Sequence, residues 1–200
     1  MNRWEPLFYE FIQNIFVRGK HLNLKKMIES SSLPVPARVL DVGCGTGQAA
    51  VLFCDKTQYD YVGVEVSDSC IIRARERFPE LSFHLINMVE TPLQEPLFDF
   101  ILIDSVFHHL SDDYIARLLE QLTDLLHKDG ILVIQDMVYP EKRGGRAFIQ
   151  RLLIALDRGK YCRKREELVN VLKNRFAITQ EVTHKISTYD FFLLKCKIAA

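Results

Sequence analysis

Val39-Leu40-Asp41-Val42-Gly43-Cys44-Gly45-Thr46-Gly47 is the stretch whose reading decides the fold. A short apolar strand, Ala37–Val42, runs into a tight turn that opens into a helix expected from about Thr46 to Lys56. Glycines in such a turn allow backbone conformations that other residues resist, and they let a ligand approach the main chain closely. The spacing is GxGxG. The dinucleotide fingerprint is GxGxxG, with a pyrophosphate facing the helix N-terminus, and position 48 here is Gln. Asp41, just before the turn, would repel a pyrophosphate and suits a cationic ligand group.

Outward from the turn, a second strand, Tyr61–Val66, carries Val62-Gly63-Val64-Glu65-Val66-Ser67. Glu65 ends it at about the distance from the glycines at which doubly wound nucleotide binders place a ribose acid. A carboxylate there can accept hydrogen bonds from both ribose hydroxyls; the alternative is an exposed strand-end acid. A helix over Asp68–Arg77, stopped by Pro79, leads to strands at Ser82–Ile86 and Phe98–Ile103. The next helix is capped by Ser111 or Asp112. Its stripe of Ile115, Leu118, Leu119, Leu122, Leu125 and Leu126 ends at Lys128-Asp129-Gly130. Ile131–Met137 is nearly all apolar, as a central strand covered on both faces should be.

Regular alternation of strands and helices implies a parallel sheet with right-handed crossovers, an α/β doubly wound fold with helices on both faces. The C-terminal part departs from it. A basic, partly helical insertion over 140–162 precedes a helix near 164–174, and strands follow at about Ala177–Lys185 and Tyr189–Ile198. Ile186-Ser187-Thr188 leaves room only for a hairpin, so this pair is antiparallel. At the other end, residues 5–31 read as one or two helices, with Leu7, Phe8, Phe11, Ile12, Ile15 and Phe16 on one face, broken by Ser30-Ser31-Ser32-Leu33-Pro34-Val35-Pro36. The division expected is an N-terminal helical cap, 1–34, and one domain, 35–200.

Composition narrows the function. Over 200 residues, Lys plus Arg and Asp plus Glu both number 26, so no global positive field exists to hold a phosphate backbone, and a nucleic-acid partner is not expected. The five cysteines, Cys44, Cys54, Cys70, Cys162 and Cys196, are scattered, with no CxxC pair and no His at zinc-finger spacing. That argues against a disulfide framework and a metal site, and fits a reducing cytosol. The start, MNRWEPLFYEF, lacks the features of a signal peptide, and no apolar run is long enough to cross a bilayer. A soluble cytoplasmic protein is expected.

VLDVGCGTG, then GVEVS, then FDFILIDSVFHHL together resemble the class I methyltransferases that use S-adenosylmethionine; the likeness covers about residues 35–138 and, weakly, the strand pair after 175. The resemblance implies a Rossmann-like, mainly parallel seven-stranded sheet whose last strand is antiparallel, in agreement with the C-terminal hairpin. It implies that Asp41 faces the ammonium of the methionine moiety and that Gly43, Cys44 and Gly45 line the cofactor through their backbone. Glu65 would hold the ribose hydroxyls, and Val66 would pack on the adenine. Where the family often has an acid at the end of the third strand, this chain has Asn87, followed by Met88; an amide oxygen accepts the same hydrogen bond more weakly. Asp104, ending the fourth strand beside Ser105, would lie next to the methionine moiety.

Methyl transfer from a sulfonium is an in-line displacement that needs alignment and exclusion of water, and an acceptor of high pKa also needs a base. His109 and His108 follow the fourth strand on the ligand face of the sheet, His109 slightly ahead as base; the alternative is that one packs against the following helix and the other is solvated. Asp104-Ser105-Val106-Phe107 is not the Asn/Asp-Pro-Pro-Tyr/Phe motif of amino-methylating DNA enzymes, which points to a small-molecule substrate. Phe148, Ile149, Leu152, Leu153 and Leu156 form an apolar stripe in the basic insertion. Such a helix can rest on an anionic membrane, admit an acidic or lipid-like substrate, or simply be a core stripe with a solvated charged face. Two further readings are a non-catalytic module of this fold and a nicotinamide-dependent oxidoreductase, the latter disfavoured by GxGxG and Asp41.

Overall fold

The computed structural model describes residues 20–140, 144–156, 160–186 and 189–199. Its first helix, α1, covers Lys20–Glu29, and the rest of the expected N-terminal helix lies outside the described residues. Then come β1 (Ala37–Val42), β2 (Tyr59–Glu65), α2 (Asp68–Arg77), β3 (Ser82–Leu85), β4 (Phe98–Asp104), α3 (Asp112–Leu125) and β5 (Leu126–Met137). The C-terminal part holds α4 (Gly145–Leu156), α5 (Arg165–Leu172), β6 (Phe176–Ile186) and β7 (Tyr189–Ile198). The seven strands form one sheet in the order β3-β2-β1-β4-β5-β7-β6. β1 to β5 pair in parallel, and β7 slots antiparallel between β5 and β6, as the doubly wound reading expected.

Strand alternation sends side chains to both faces, and each face has its own core. Leu40, Val42, Ile101, Ile103, Leu132, Ile134 and Phe192 pack with Leu118, Leu119 and Leu122 of α3 and with Leu168 and Leu172 of α5. Val39, Phe100, Leu102, Ile131, Val133 and Leu193 pack under Leu24, Met27 and Ile28 of α1 and Ile71 and Ala74 of α2. Burying one such side chain contributes about 1.5–3 kcal/mol. Local chemistry agrees with this packing. Ser67 caps α2 by accepting from Cys70 N, and Ser111 caps α3 by accepting from Tyr114 N.

Two elements differ from expectation. The helix expected over Thr46–Lys56 is a turn followed by a short 3₁₀ helix, Ala49–Phe53. Gly45 (φ 54°) and Gly47 (φ 76°) both adopt left-handed conformations, so a regular helix cannot begin before position 48. The α3 stripe also ends earlier: Leu126 already belongs to β5, pairing with Phe98 before a register shift towards Phe100. Both differences are local. The parallel register places Asp41, Glu65, Asp104 and Asp136 at or near the C-terminal edge of the sheet, where open α/β sheets bind ligands.

Candidate active site

The turn after β1 is tied to β2: Gly43 N and Cys44 N both donate to Val64 O, at 2.8 and 3.0 Å. Gly43 has φ 72°, and a Cβ there would stand 2.4 Å from Val106 Cγ2, so backbone and neighbour leave space only for hydrogen. Gly45 N donates to Glu65 Oε2 at 3.1 Å, and Glu65 Oε1 accepts from Val66 N (2.8 Å) and Ser67 N (3.0 Å). Three main-chain donors therefore orient one carboxylate toward the turn. Val66, immediately beyond, is 64% exposed and offers a bare apolar surface.

Beside the turn, Lys20, Asp41, Gly43, Cys44, Gly45, Thr46, Gln48, Ala49 and Asp104 line a pocket. Asp41 is buried and accepts a 2.7 Å hydrogen bond from the Tyr61 hydroxyl. Burial pushes its carboxyl up to about 7, against the opposing effect of the Tyr61 bond, with Asp104 adding to the rise and Lys20 reducing it. Burial would also raise Asp104, but the Lys20 ammonium at 2.9 Å and His21 at 3.5 Å hold its carboxyl below the usual range. Burial pushes the Cys44 thiol up, as do Asp41 and Glu65, so Cys44 is a packed neutral group rather than a nucleophile.

The residues expected at the adenine end occupy different settings. The Asn87 side-chain oxygen accepts from Val89 N at 3.2 Å within its own turn. Met88 is buried with Val62 and Val64 in the core.

On the opposite face of the sheet, His108 is buried and its Nδ1 lies 2.6 Å from Asp136 Oδ1. Asp136 also accepts from His108 N (3.2 Å) and Met137 N (2.7 Å), so this carboxylate ties the His108 ring and backbone to the end of β5. The His109 ring lies 4.0 Å from that of His108, centroid to centroid, but its residue is exposed. Arg163 secures this segment by donating to Phe107 O and Leu110 O and pairing with Asp112.

Residues 39–130 match a family described as a methyltransferase domain. That match adds to the sheet order and to the glycine turn facing Glu65. Over those residues the chain is similar to the class I S-adenosylmethionine-dependent methyltransferases. Among curated proteins, the chain is 27% identical over 133 residues to trans-aconitate 2-methyltransferase of Variovorax paradoxus, covering 66% of the chain and 49% of that protein. It is 27% identical over 113 residues to the ubiquinone/menaquinone biosynthesis C-methyltransferase of Campylobacter jejuni, covering 54% of the chain and 47% of that protein. The chain thus spans about half the length of these relatives. Its fold is that of the N-methyltransferase NodS of Bradyrhizobium japonicum, solved with S-adenosyl-L-homocysteine, at TM-score 0.70, 17% identity and coverage of 92% of this chain and 87% of that one.

Several residues of the candidate site were missed from sequence. Asp136 had a signal: Gln135-Asp136 is a polar pair inside the apolar run of β5, just as Asp104 ends β4. Lys20 had none, because the periodicity after Gly19 is irregular. The basic insertion is partly structural. Arg146 pairs with Asp190 at 3.0 Å, Arg151 donates to Pro140 O and lies over the Tyr139 ring, and Arg163 serves as above. Of the expected apolar stripe, Phe148, Ile149 and Leu152 face outward, and the side chains of Leu153 and Leu156 lie outside the described ones; Ile154, not in that stripe, packs on Met137 and Phe191. Among the described residues no helix is long and apolar enough to cross a membrane.

Proposed function

We propose that this chain binds S-adenosylmethionine between the glycine turn and Glu65 and transfers its methyl group to a small molecule. The observation that carries the reading is the Glu65 carboxylate 3.1 Å from Gly45 N, which brings a sugar-clasping acid and bare backbone to one cleft. The residues present suit the group. Glu65 would accept from the ribose hydroxyls, and the exposed face of Val66 would meet the adenine, with Asn87 and Met88 at its edge. The backbone of Gly43, Cys44 and Gly45 would line the nucleoside. Asp41 and Asp104 place negative charge where a cationic amino-acid end would lie. When bound, the cofactor supplies a sulfonium methyl whose leaving group is a neutral thioether.

The chain's own contribution is to align an acceptor and take its proton. His109, exposed and 4.0 Å ring to ring from His108, is the candidate base in this reading, with His108, held by Asp136, as the alternative. The acceptor is a small molecule with an acidic or lipid-like portion, a class supported by the outward Phe148, Ile149 and Leu152 of α4 among basic residues. The described part of the N-terminal cap, α1, brings Lys20 to the same pocket. Free thiols at all five cysteines suit the cytoplasm.

Calorimetric titration with S-adenosylmethionine, followed by turnover over a panel of carboxylic acids, phenols, quinols and amines, tests the proposal. Binding with turnover of one class is expected. A folded chain that binds no cofactor would refute it, and binding without turnover over the whole panel would favour the non-catalytic module.

A further inference from the structure

We infer that α4 docks the protein on an anionic lipid bilayer, lying flat with Phe148, Ile149 and Leu152 in the acyl boundary; this goes beyond the cofactor reading and does not depend on it. The helix, Gly145–Leu156, has two contrasting faces. Ala147, Gln150 and Ile154 are buried, with Gln150 Nε2 donating to Val138 O at 2.9 Å and Ile154 on Met137 and Phe191. The other face carries Gly145, Phe148, Ile149, Leu152 and Ala155, all exposed and none polar. Phe148 is 69% exposed, Ile149 48% and Leu152 52%. Of the other exposed large hydrophobics, no two are closer than six positions in the chain. The three on α4 therefore stand apart from the ordinary scatter of single apolar residues on a protein surface.

Charge identifies the occupant of this face. Residues 141–165 hold nine Lys and Arg against Glu141 and Asp157, on a chain whose 26 cations and 26 acids balance. Arg146, Arg163 and Arg165 are paired with Asp190, Asp112 and Glu181 from outside this stretch, which leaves six cations against two acids. A second copy of the chain seated on α4 about a two-fold axis would bring that surplus against itself. An anionic bilayer complements it, taking the apolar face into the acyl boundary and holding the basic residues at headgroup level. Because α4 packs against Met137 at the end of β5 and Phe191 of β7, docking sets the ligand edge of the sheet close to the lipid.

The test is co-sedimentation of the full chain with vesicles of phosphatidylcholine alone and of phosphatidylcholine mixed with phosphatidylglycerol. The native chain should partition about tenfold or more in favour of the anionic vesicles, and raising the salt from about 0.1 to about 0.5 M should remove most of that preference. Phe148→Gln combined with Leu152→Gln keeps good helix formers on an exposed face. This double variant should lose about 10- to 100-fold in partitioning while its melting temperature stays within about 3 °C of the native value. Binding to neither vesicle, or equal binding to both, overturns the proposal, and neither result needs a variant to fold. Undiminished binding by the double variant also overturns it. So does a native dimer, seen by sedimentation velocity, that the double variant dissolves, because the face would then belong to a second copy.

Discussion

Lowering the pH from 8 to 6 should weaken cofactor binding about tenfold through Asp41. Its buried carboxyl is raised to about 7, and a ligand bearing an ammonium favours the ionised form. With that midpoint, the ionised fraction of the unliganded protein is about 0.9 at pH 8, about 0.5 at pH 7 and about 0.1 at pH 6, and each further unit costs about 1.4 kcal/mol. Affinity should therefore be flat above pH 8 and fall below 7, with about half a proton released on binding at pH 7. Calorimetry in buffers of different ionisation enthalpy reads both quantities. Asp41→Asn should bind more weakly at pH 8 and lose the slope.

The same group sets a pH dependence of stability. The folded value lies above the ordinary 3.8, so the fold favours the neutral carboxyl. Its contribution is complete below about pH 4 and is lost as pH rises through 7. Asp41→Asn, neutral throughout, should melt above the native chain at pH 8 and no higher at pH 4. An affinity independent of pH between 6 and 8, or an equal slope in Asp41→Asn, would refute the reasoning.

Glu65→Ala should weaken S-adenosylmethionine binding about 10- to 100-fold, from lost hydrogen bonds to a charged group. It should also lower the melting temperature, because three main-chain donors lose their acceptor. An unchanged dissociation constant would mean that the ribose lies elsewhere. His109→Ala should lower kcat by about 100-fold or more, while the cofactor dissociation constant stays within about twofold. A normal kcat would remove His109 as base. Gly43→Ala forces a Cβ to 2.4 Å from Val106 Cγ2 at φ 72° and should cost about 1–3 kcal/mol in urea unfolding; an unshifted midpoint would show that the turn yields more readily than its geometry implies.

The sheet was legible because it is written in patterns that packing leaves intact. β1, β4 and the second half of β5 are apolar runs covered on both faces, and only a hairpin fits between β6 and β7. The glycine turn and Glu65 were legible for the same reason, since each ends a strand at the ligand edge. The short 3₁₀ helix was not, because the apolar spacing of Ala49–Phe53 suits a longer helix and only the left-handed glycines deny it. The partners of the functional side chains were hidden too. Asp136 meets His108 across 28 positions and Lys20 meets Ser105 across 85, distances over which no periodicity in the chain carries information.

The central claim is that one nucleoside lies against the bare backbone of Gly43–Gly45 with its sugar at Glu65. A crystal structure of the full chain with S-adenosyl-L-homocysteine tests this most directly. The account predicts both ribose hydroxyls within hydrogen-bonding distance of the Glu65 carboxylate, and the homocysteine end between Asp41 and Lys20. A nucleoside bound away from that turn, or a Glu65 side chain directed away from it, would contradict the account.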